Sequence, residues 1–451
     1  MLHYRNYYII LFCLLFISCR KLIEVEPPSN EVPSESVYDD EAMADAAVAD
    51  IYAGLSGYFS GNILSVINGM TADELNTLNI YHRRYVNNAI LSDDALILSS
   101  WQQFYRLIYR ANAVLEGVSA ARKLPEEKAK QLQGEALFLR AFCYYYLLNC
   151  WGDVPLITTT DVEQTASAPR SGSAVVYDLV MSDLKTAASL LSAAYPGTEK
   201  VRANKWAAVA MLARVSLQTH NWQQAAEQAT LVLNAGIYTP LIRPDSVFLR
   251  NSRPAILQIW TNEGYTLPGL TFIPVSAGNY SFYPFTDDLI AGFEDGDIRK
   301  AMWTGSFTYA GLLYHYPLKY KNRAAAISGR EEYLMILRIE EMYLIRAEAL
   351  AQLENVTGAL ADVNVLRKRA GLPGLSILLK QDECLLAIEK ERRIELFTEW
   401  GDRWLSLRRT NRIDTVLEVV KPVWKSTAAL YPIPQEERNR NPKLTQNDGY
   451  Q

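Results

Sequence analysis

Histidine and cysteine are both scarce in this chain, with four and five copies among 451 residues. His3, His82, His220 and His315 are mutually distant and lack the short spacings of a metal site, so no metal centre is expected. The cysteines do not make a disulfide framework. Cys143 and Cys150 fall in one helical stretch, about 10 Å apart along the axis, beyond the roughly 7 Å between Cα atoms that a bridge tolerates. With Cys384, they are expected to be buried thiols. No glycine-rich phosphate loop and no basic stripe is present, and the net charge of −5 is mild, so nucleic acid is not an expected partner. Past the leader no apolar run approaches the about 20 residues that cross a bilayer. Ser182 to Lys185 spells Ser-x-x-Lys, but without its companion motifs the match is a coincidence.

What is present begins at the N-terminus. Arg5 precedes an apolar run over 7–17, too short to span a membrane but suited to a signal-peptide core, and Ser18–Cys19 follows. A small residue before cysteine suits a lipoprotein signal peptidase, so 1–18 reads as a leader and Cys19 as the acylated first residue. Acyl chains gain about 0.8 kcal/mol per buried methylene, enough for several to hold a protein on a membrane. An ordinary cleaved leader with an incidental cysteine is the competing reading, and Phe16 stands where such signals usually carry an aliphatic residue. Residues 19–36, with Pro27, Pro28 and Pro33, read as a flexible tether.

Helical periodicity dominates the remainder, 37–451, which is expected to form one mostly α domain. Helices are expected over 41–58, from about residue 100 past Asn112, over 126–150 with a Tyr144–Tyr145–Tyr146 band, and over 175–194. A polar, asparagine-rich excursion fills 62–98. Two tighter pairs follow, 204–219 with 222–235 and 339–353 with 357–370; Gly236 is an expected C-terminal cap, and Gly371–Leu372–Pro373 ends the second pair. Alanines on facing sides (Ala225, Ala226, Ala229; Ala347, Ala349, Ala359) make these tetratricopeptide-like units, in a degenerate array of about four pairs. Residues 243–331 form an insertion rich in aromatics and punctuated by Pro, Gly and Asn, with short strands expected at 255–260 and 270–274; long loops of this kind are usually functional. The chain holds 27 Tyr and 9 Trp against 13 Phe, and a ring with a polar edge suits wet binding surfaces. A helix over 383–400 carries Glu391, Glu395 and Glu399 among Arg392 and Arg393, at spacing that predicts ion pairs along the helix. Residues 421–451 end the domain in an extended wrap.

The stretch ERRIELFTEWGDRWLSLRRT (391–410) resembles the C-terminal signature of the SusD/RagB family of Bacteroidetes outer-membrane lipoproteins. YPIPQEERNRNPKLTQNDGYQ (431–451) is similar to that family's ending, and LRIEEMYLIRAEALAQL with VNVLRKRAGLP to its last helix pair. WQQFYRLIYRANAVLE (101–116) and EALFLRAFCYYYLLNCWGDVPL (135–156) resemble its earlier helices. The resemblance implies a tetratricopeptide-like body that caps a TonB-dependent transporter of the SusC type. Such a protein captures an oligosaccharide, or in some relatives a peptide, at the cell surface for import, without catalysis and without a cofactor. Arg20–Lys21 after the cysteine depart from the acidic run often linked with surface export.

A sugar ring offers a face of C–H groups that packs on Trp or Tyr, while its hydroxyls pair with Asn, Asp, Arg or Gln. Two regions supply both kinds of group, 73–88 and 279–316, and the family's ligand contacts come broadly from these. Asp73, Asn76, Tyr81, Tyr280, Tyr283 and Trp303 are the candidate contacts. Asp295, Asp297 and Arg299 resemble a structural turn of the family; a calcium loop there lacks the full motif. An α-helical glycoside hydrolase is the alternative of another class. It needs two carboxylates about 5–10 Å apart across an aromatic cleft, such as Asp73 with Asp287 or Asp295.

Overall fold

The computed structural model describes residues 37–57 and 63–451. The expected leader, Cys19 and the expected tether lie outside the described residues. Helix dominates, and the expected helix pairs form. Helix α1 (Glu41–Ser56) starts where the Asp40 carboxylate accepts the Met43 amide, and it packs on α3 (Ala95–Ala120), capped in the same way by Asp94. Helix α2 (Ile63–Thr71) lies between them in sequence, every residue buried. The polar excursion expected over 62–98 therefore opens with a core helix, because its apolar residues pack inward and its one polar stripe, Ser65, Asn68 and Thr71, is hydrogen-bonded to Trp400 and Tyr431.

Helices α4 (Glu126–Trp151) and α5 (Ser173–Leu190) make the second pair, α6 (Lys205–Gln218) and α7 (Trp222–Leu233) the third, and α8 (Ile339–Gln352) and α9 (Val356–Arg369) the fourth. Each pair lies on the next, α3 on α4, α5 on α6 and α7 on α8. The alanines singled out in the last two pairs are all buried at these seams. Gly371, at φ +79°, closes α9 as expected, whereas α7 already stops at Asn234, two residues before Gly236. Cys143, Cys150 and Cys384 are buried free thiols. No helix of the described residues is long and apolar enough to cross a membrane.

The insertion leaves and re-enters the body through a buried antiparallel ladder, β1 (Ala255–Ile259) against β4 (Leu334–Arg338), with Ile259 opposite Leu334. Between them β2 (Thr304–Tyr309) and β3 (Leu312–Pro317) form a hairpin. Ala310 and Gly311, both at positive φ, make its two-residue turn. The strand expected at 270–274 is instead a helical turn, Leu267–Phe272. Thr266 caps it by accepting the Gly269 amide, and Pro268 sits in its first turn, where a missing N–H costs nothing.

Helix α10 (Gln381–Leu396) packs across α8 and α9. It ends four residues before the expected Trp400, because Thr398, Trp400 and Gly401 all adopt positive φ and turn the chain back. That turn also changes the ion pairing. Glu391, Glu395 and Glu399 meet Arg299, Arg338, Arg369 and Lys319 from other elements rather than the arginines beside them. Arg392 instead reaches Asp402, and Arg393 reaches Asp73 and Asp288. The tail lies over the end of α4, with the Tyr431 amide on the Cys150 carbonyl and the Asn447 amide group on the Trp151 carbonyl, and it includes a helical turn at Gln435–Arg440.

Candidate ligand-binding site

Backbone pairing joins the two loop regions that the sequence offers as a site. The Asn76 amide donates to the Pro284 carbonyl (2.8 Å), Leu78 to Phe282 (2.9 Å), and Thr286 back to Glu74 (3.0 Å). The Phe285 amide in turn donates to the His315 carbonyl of β3 at 2.8 Å. A short frame of three extended segments results, 74–78, 282–286 and β3. Side chains brace it: the Tyr283 hydroxyl and His82 Nδ1 share a hydrogen bond of 2.9 Å, and their rings stack with centroids 5.7 Å apart.

Aromatic faces stand out from this frame. Tyr280 lies 5.3 Å from Phe282 and 4.8 Å from Tyr309, ring centre to ring centre, and all three are exposed. Tyr81, in the turn Ile80–His82, is 74% exposed. Beside them a concavity of about 550 Å³ opens between residues 273–279 and the hairpin, lined by Ser276, Asn279, Ser306, Phe307, Thr308 and Tyr316. The Tyr316 ring lies over Gly305 of the facing strand, where any Cβ would collide with it. The Phe307 ring stacks on Tyr314 at 5.4 Å. Flat rings next to hydroxyls and an amide can take a ligand with alternating C–H faces and polar groups.

The hairpin is fixed at its base. Trp303, just before β2, is fully buried and donates its indole N–H to the Pro244 carbonyl at 2.8 Å. Lys319, just after β3, is buried at the C-terminal end of α10. It donates to the carbonyls of Glu395 (2.7 Å) and Phe397 (2.9 Å) and to the Glu399 carboxylate (2.5 Å), 3.9 Å from the centre of the Phe397 ring. Burial pulls its pKa down to about 8, against the upward pull of Glu399. Around it Arg338 bridges Glu395 (2.6 Å) and Glu399 (2.9 Å), Arg299 bridges Glu391 (2.6 Å) and Glu395 (2.8 Å), and Arg369 meets Glu340 (3.0 Å). Burial pushes the Glu395 carboxyl up, but Arg369, Arg338 and Arg299 together hold it well below the usual carboxylate range. Asp297 caps the turn at Ile298 and pairs with Arg299 at 2.9 Å, so its carboxylate is spent on structure.

Residues 21–217 match a family model described as starch-binding, associating with the outer membrane, and residues 286–450 match that of the SusD family. The chain belongs to the SusD/RagB family. SusD-like protein P25 of Formosa agariphila is similar to it at 25% identity, over 96% of this chain and 95% of that protein. A SusD superfamily protein of Bacteroides vulgatus shares the fold with a TM-score of 0.79 at 22% identity, over 92% of this chain and 100% of that one. A protein described as a laminarin-binding SusD-like protein shares it with a TM-score of 0.77 at 23% identity, over 91% and 99%.

In this SusD fold the six candidate contacts have different fates. Tyr81 and Tyr280 are exposed, Tyr280 among the rings of Phe282 and Tyr309 and Tyr81 in the turn Ile80–His82. Asn76 is half-buried, its Oδ1 accepting the Thr77 amide (2.8 Å) and an Arg83 N–H (3.3 Å). Tyr283 is buried, with its hydroxyl on His82. Trp303 and Asp73 are interior groups with no face for a ligand. Asp73 is gripped by Arg403 through two bonds (2.8 and 2.9 Å) and by Arg393 (3.0 Å). Burial pushes its carboxyl up, and the Arg403 pair more than reverses this and holds it low. Phe282 and Tyr309, not among the six, complete the exposed aromatic set. Alternation in β2 hides Tyr309, because it shares the face of buried Phe307; its exposure comes from its place at the hairpin tip, next to the Ala310–Gly311 turn.

Proposed function

We propose that this protein captures an oligosaccharide or polysaccharide at the cell surface and passes it to a SusC-like TonB-dependent transporter for import. One observation carries the reading: two loop regions far apart in sequence are hydrogen-bonded into a single frame that presents Tyr81, Tyr280, Phe282 and Tyr309 beside a concavity lined by hydroxyl and amide groups. Tyr81, Tyr280, Phe282 and Tyr309 are the ligand contacts in this reading, with Asn76 and Tyr283 supporting them. Cys19, through its acyl chains, holds the domain 37–451 on the outer membrane, facing the exterior. The concavity is lined by no carboxylate, and Asp73 is occupied by two arginines, which supports binding without hydrolysis.

The test is calorimetry of the mature chain lacking Cys19 against a panel of polysaccharides and peptides. Laminarin comes first, because a protein of the same fold is described as binding it. A glycan is expected to bind, and Tyr280→Ala and Tyr309→Ala are each expected to weaken it by about tenfold, the order of one lost ring contact. Heat with peptides alone would change the cargo. Silence across the panel, or binding unmoved by either substitution, would overturn the proposal.

A further inference from the structure

Lys421 opens the C-terminal wrap, and its side chain runs inward rather than out to water. The ammonium places its three N–H groups among four oxygens, the carbonyls of Met70 (2.6 Å), Thr71 (2.9 Å) and Val86 (2.9 Å) and the side-chain oxygen of Asn88 (2.9 Å), one N–H being shared between two of them. Met70 and Thr71 end helix α2, and Val86 ends the helical turn Arg83–Val86. Both carbonyl ends, each with its partial negative charge, thus converge on one cation. The chain between them, 72–86, is the loop that carries Asn76, Tyr81 and His82. Asn88, at φ +51°, closes the same junction by donating its amide to the Thr71 carbonyl at 3.0 Å. No carboxylate touches the ammonium, and Asp73 is the acidic group whose field reaches it.

Four oxygens converging within 3 Å of a buried cation, three of them main-chain carbonyls, describe a cation site that the chain fills with its own ammonium. We propose that Lys421 is a positioning residue for the binding surface, its ammonium closing the base of the 72–86 loop, and that the four-oxygen cage accepts a free primary alkylammonium ion when the side chain is cut back. The first half rests on the ligand reading given above; the cage stands on geometry alone.

The experiment is hydrogen–deuterium exchange of the mature chain lacking Cys19, comparing wild type, Lys421→Ala and Lys421→Met. It is run near pH 6, because burial pulls the ammonium down to about 7 and the cage must be tested charged. Exchange over 72–88, including the Asn76 and Leu78 amides, is expected to quicken by about tenfold or more in both variants, the order of one lost charge-assisted hydrogen bond. Residues 339–369 should exchange as in wild type. Propylammonium chloride should restore protection in Lys421→Ala but not in Lys421→Met, whose own side chain fills the channel; sodium chloride and propanol should restore neither. Unchanged exchange over 72–88 would overturn the clasp, as would acceleration spread evenly over the whole chain. Local acceleration that propylammonium does not reverse would overturn the cage. Affinity for the glycan found by calorimetry should fall in Lys421→Ala and recover with propylammonium. A wild type that binds no glycan defeats the ligand reading while leaving the exchange result to decide the clasp.

Discussion

The helix-pair body and the junction under the hairpin both bury charge, but in different ways. Across the pairs, ions meet in small sets: Arg140 holds Asp183 at 2.8 Å and Arg346 holds Asp362 at 2.6 Å, each one to one, while Glu341 takes Arg214 at 2.6 Å with Arg392 further off at 3.8 Å. Each such contact ties together two helices whose packing is otherwise apolar. At the junction, Arg299, Lys319, Arg338 and Arg369 share Asp297, Glu340, Glu391, Glu395 and Glu399, so no charge there has a private partner. A buried pair is weak evidence for net stability, since desolvation offsets the attraction. What the shared cluster adds is position. It fixes Trp303 and Lys319, and through them both ends of the hairpin that carries the aromatic surface.

This contrast is broken most forcefully by substitution. Arg338→Met leaves Glu340, Glu395 and Glu399 facing one another without that cation and is expected to cost about 3–5 kcal/mol in urea unfolding. Arg140→Met should cost a similar amount alone, by stranding Asp183. The double variants separate the two arrangements. Arg140→Met with Asp183→Leu removes a whole pair and should return close to wild type. Arg338→Met with Glu395→Leu removes two members of a shared set, leaves Arg299 and Arg369 short of an anion, and should stay destabilised. Equal recovery of both doubles would show that the junction is only a collection of pairs.

Trp303→Ala comes next, at about 3–5 kcal/mol. Its ring also packs on Phe248 and Phe397, with centroids 5.9 and 6.1 Å away, so the loss falls on the hairpin base. Ligand affinity should fall with it although Trp303 meets no ligand, and Tyr280→Ala should lower affinity while leaving the unfolding midpoint in place. That pair of results separates holding the surface from being the surface.

How much of this was legible in the sequence follows the same division. The helices over 126–150 and 339–370 declare themselves by length and by their ends, because long runs of helix formers reach Gly152 and Gly371, which stop them. The family and its fold follow from motifs with local order. Asp73 does not declare its role: its partner Arg403 lies 330 residues further on, and only the folded chain brings them together. Trp303 misleads for a related reason, since an aromatic residue in a loop-rich stretch reads the same whether its ring faces water or packs on Phe397. The early end of α10 rests on Thr398 and Trp400 taking left-handed backbone, a conformation that neither residue type advertises.

Acid and base probe the junction more gently. Glu74 lies beneath the frame, with one carboxylate oxygen accepting the Thr398 amide at 3.2 Å and the other meeting no partner among the described residues. Burial pushes its pKa up to about 8 from an ordinary 4.5. A carboxyl raised on folding contributes stability that is complete below the unfolded pKa and is lost as pH rises through the folded one. Glu74→Gln should therefore match wild type well below pH 4.5 and exceed it by a margin that grows as pH rises toward 9. Glu332, raised by burial to about 7, acts in the same sense, while Lys319 acts in the opposite one. The difference between wild type and variant, measured by thermal unfolding across pH, cancels both. A constant offset at every pH would assign Glu74 a packing role alone.

The smallest effect belongs to charge left in water. Arg440 meets Glu436 and Glu437 on the turn Gln435–Arg440, with its side chain 63% exposed. Solvent screens such pairs and the long side chains lose entropy in forming them, so Arg440→Ala should shift stability by less than about 0.5 kcal/mol. The same guanidinium chemistry costs several-fold more at Arg338, which is buried and on which three carboxylates depend. If Arg440→Ala and Arg338→Met proved comparable, burial would not be what separates the two regions, and the hairpin would owe its position to the Trp303 and Phe397 rings alone.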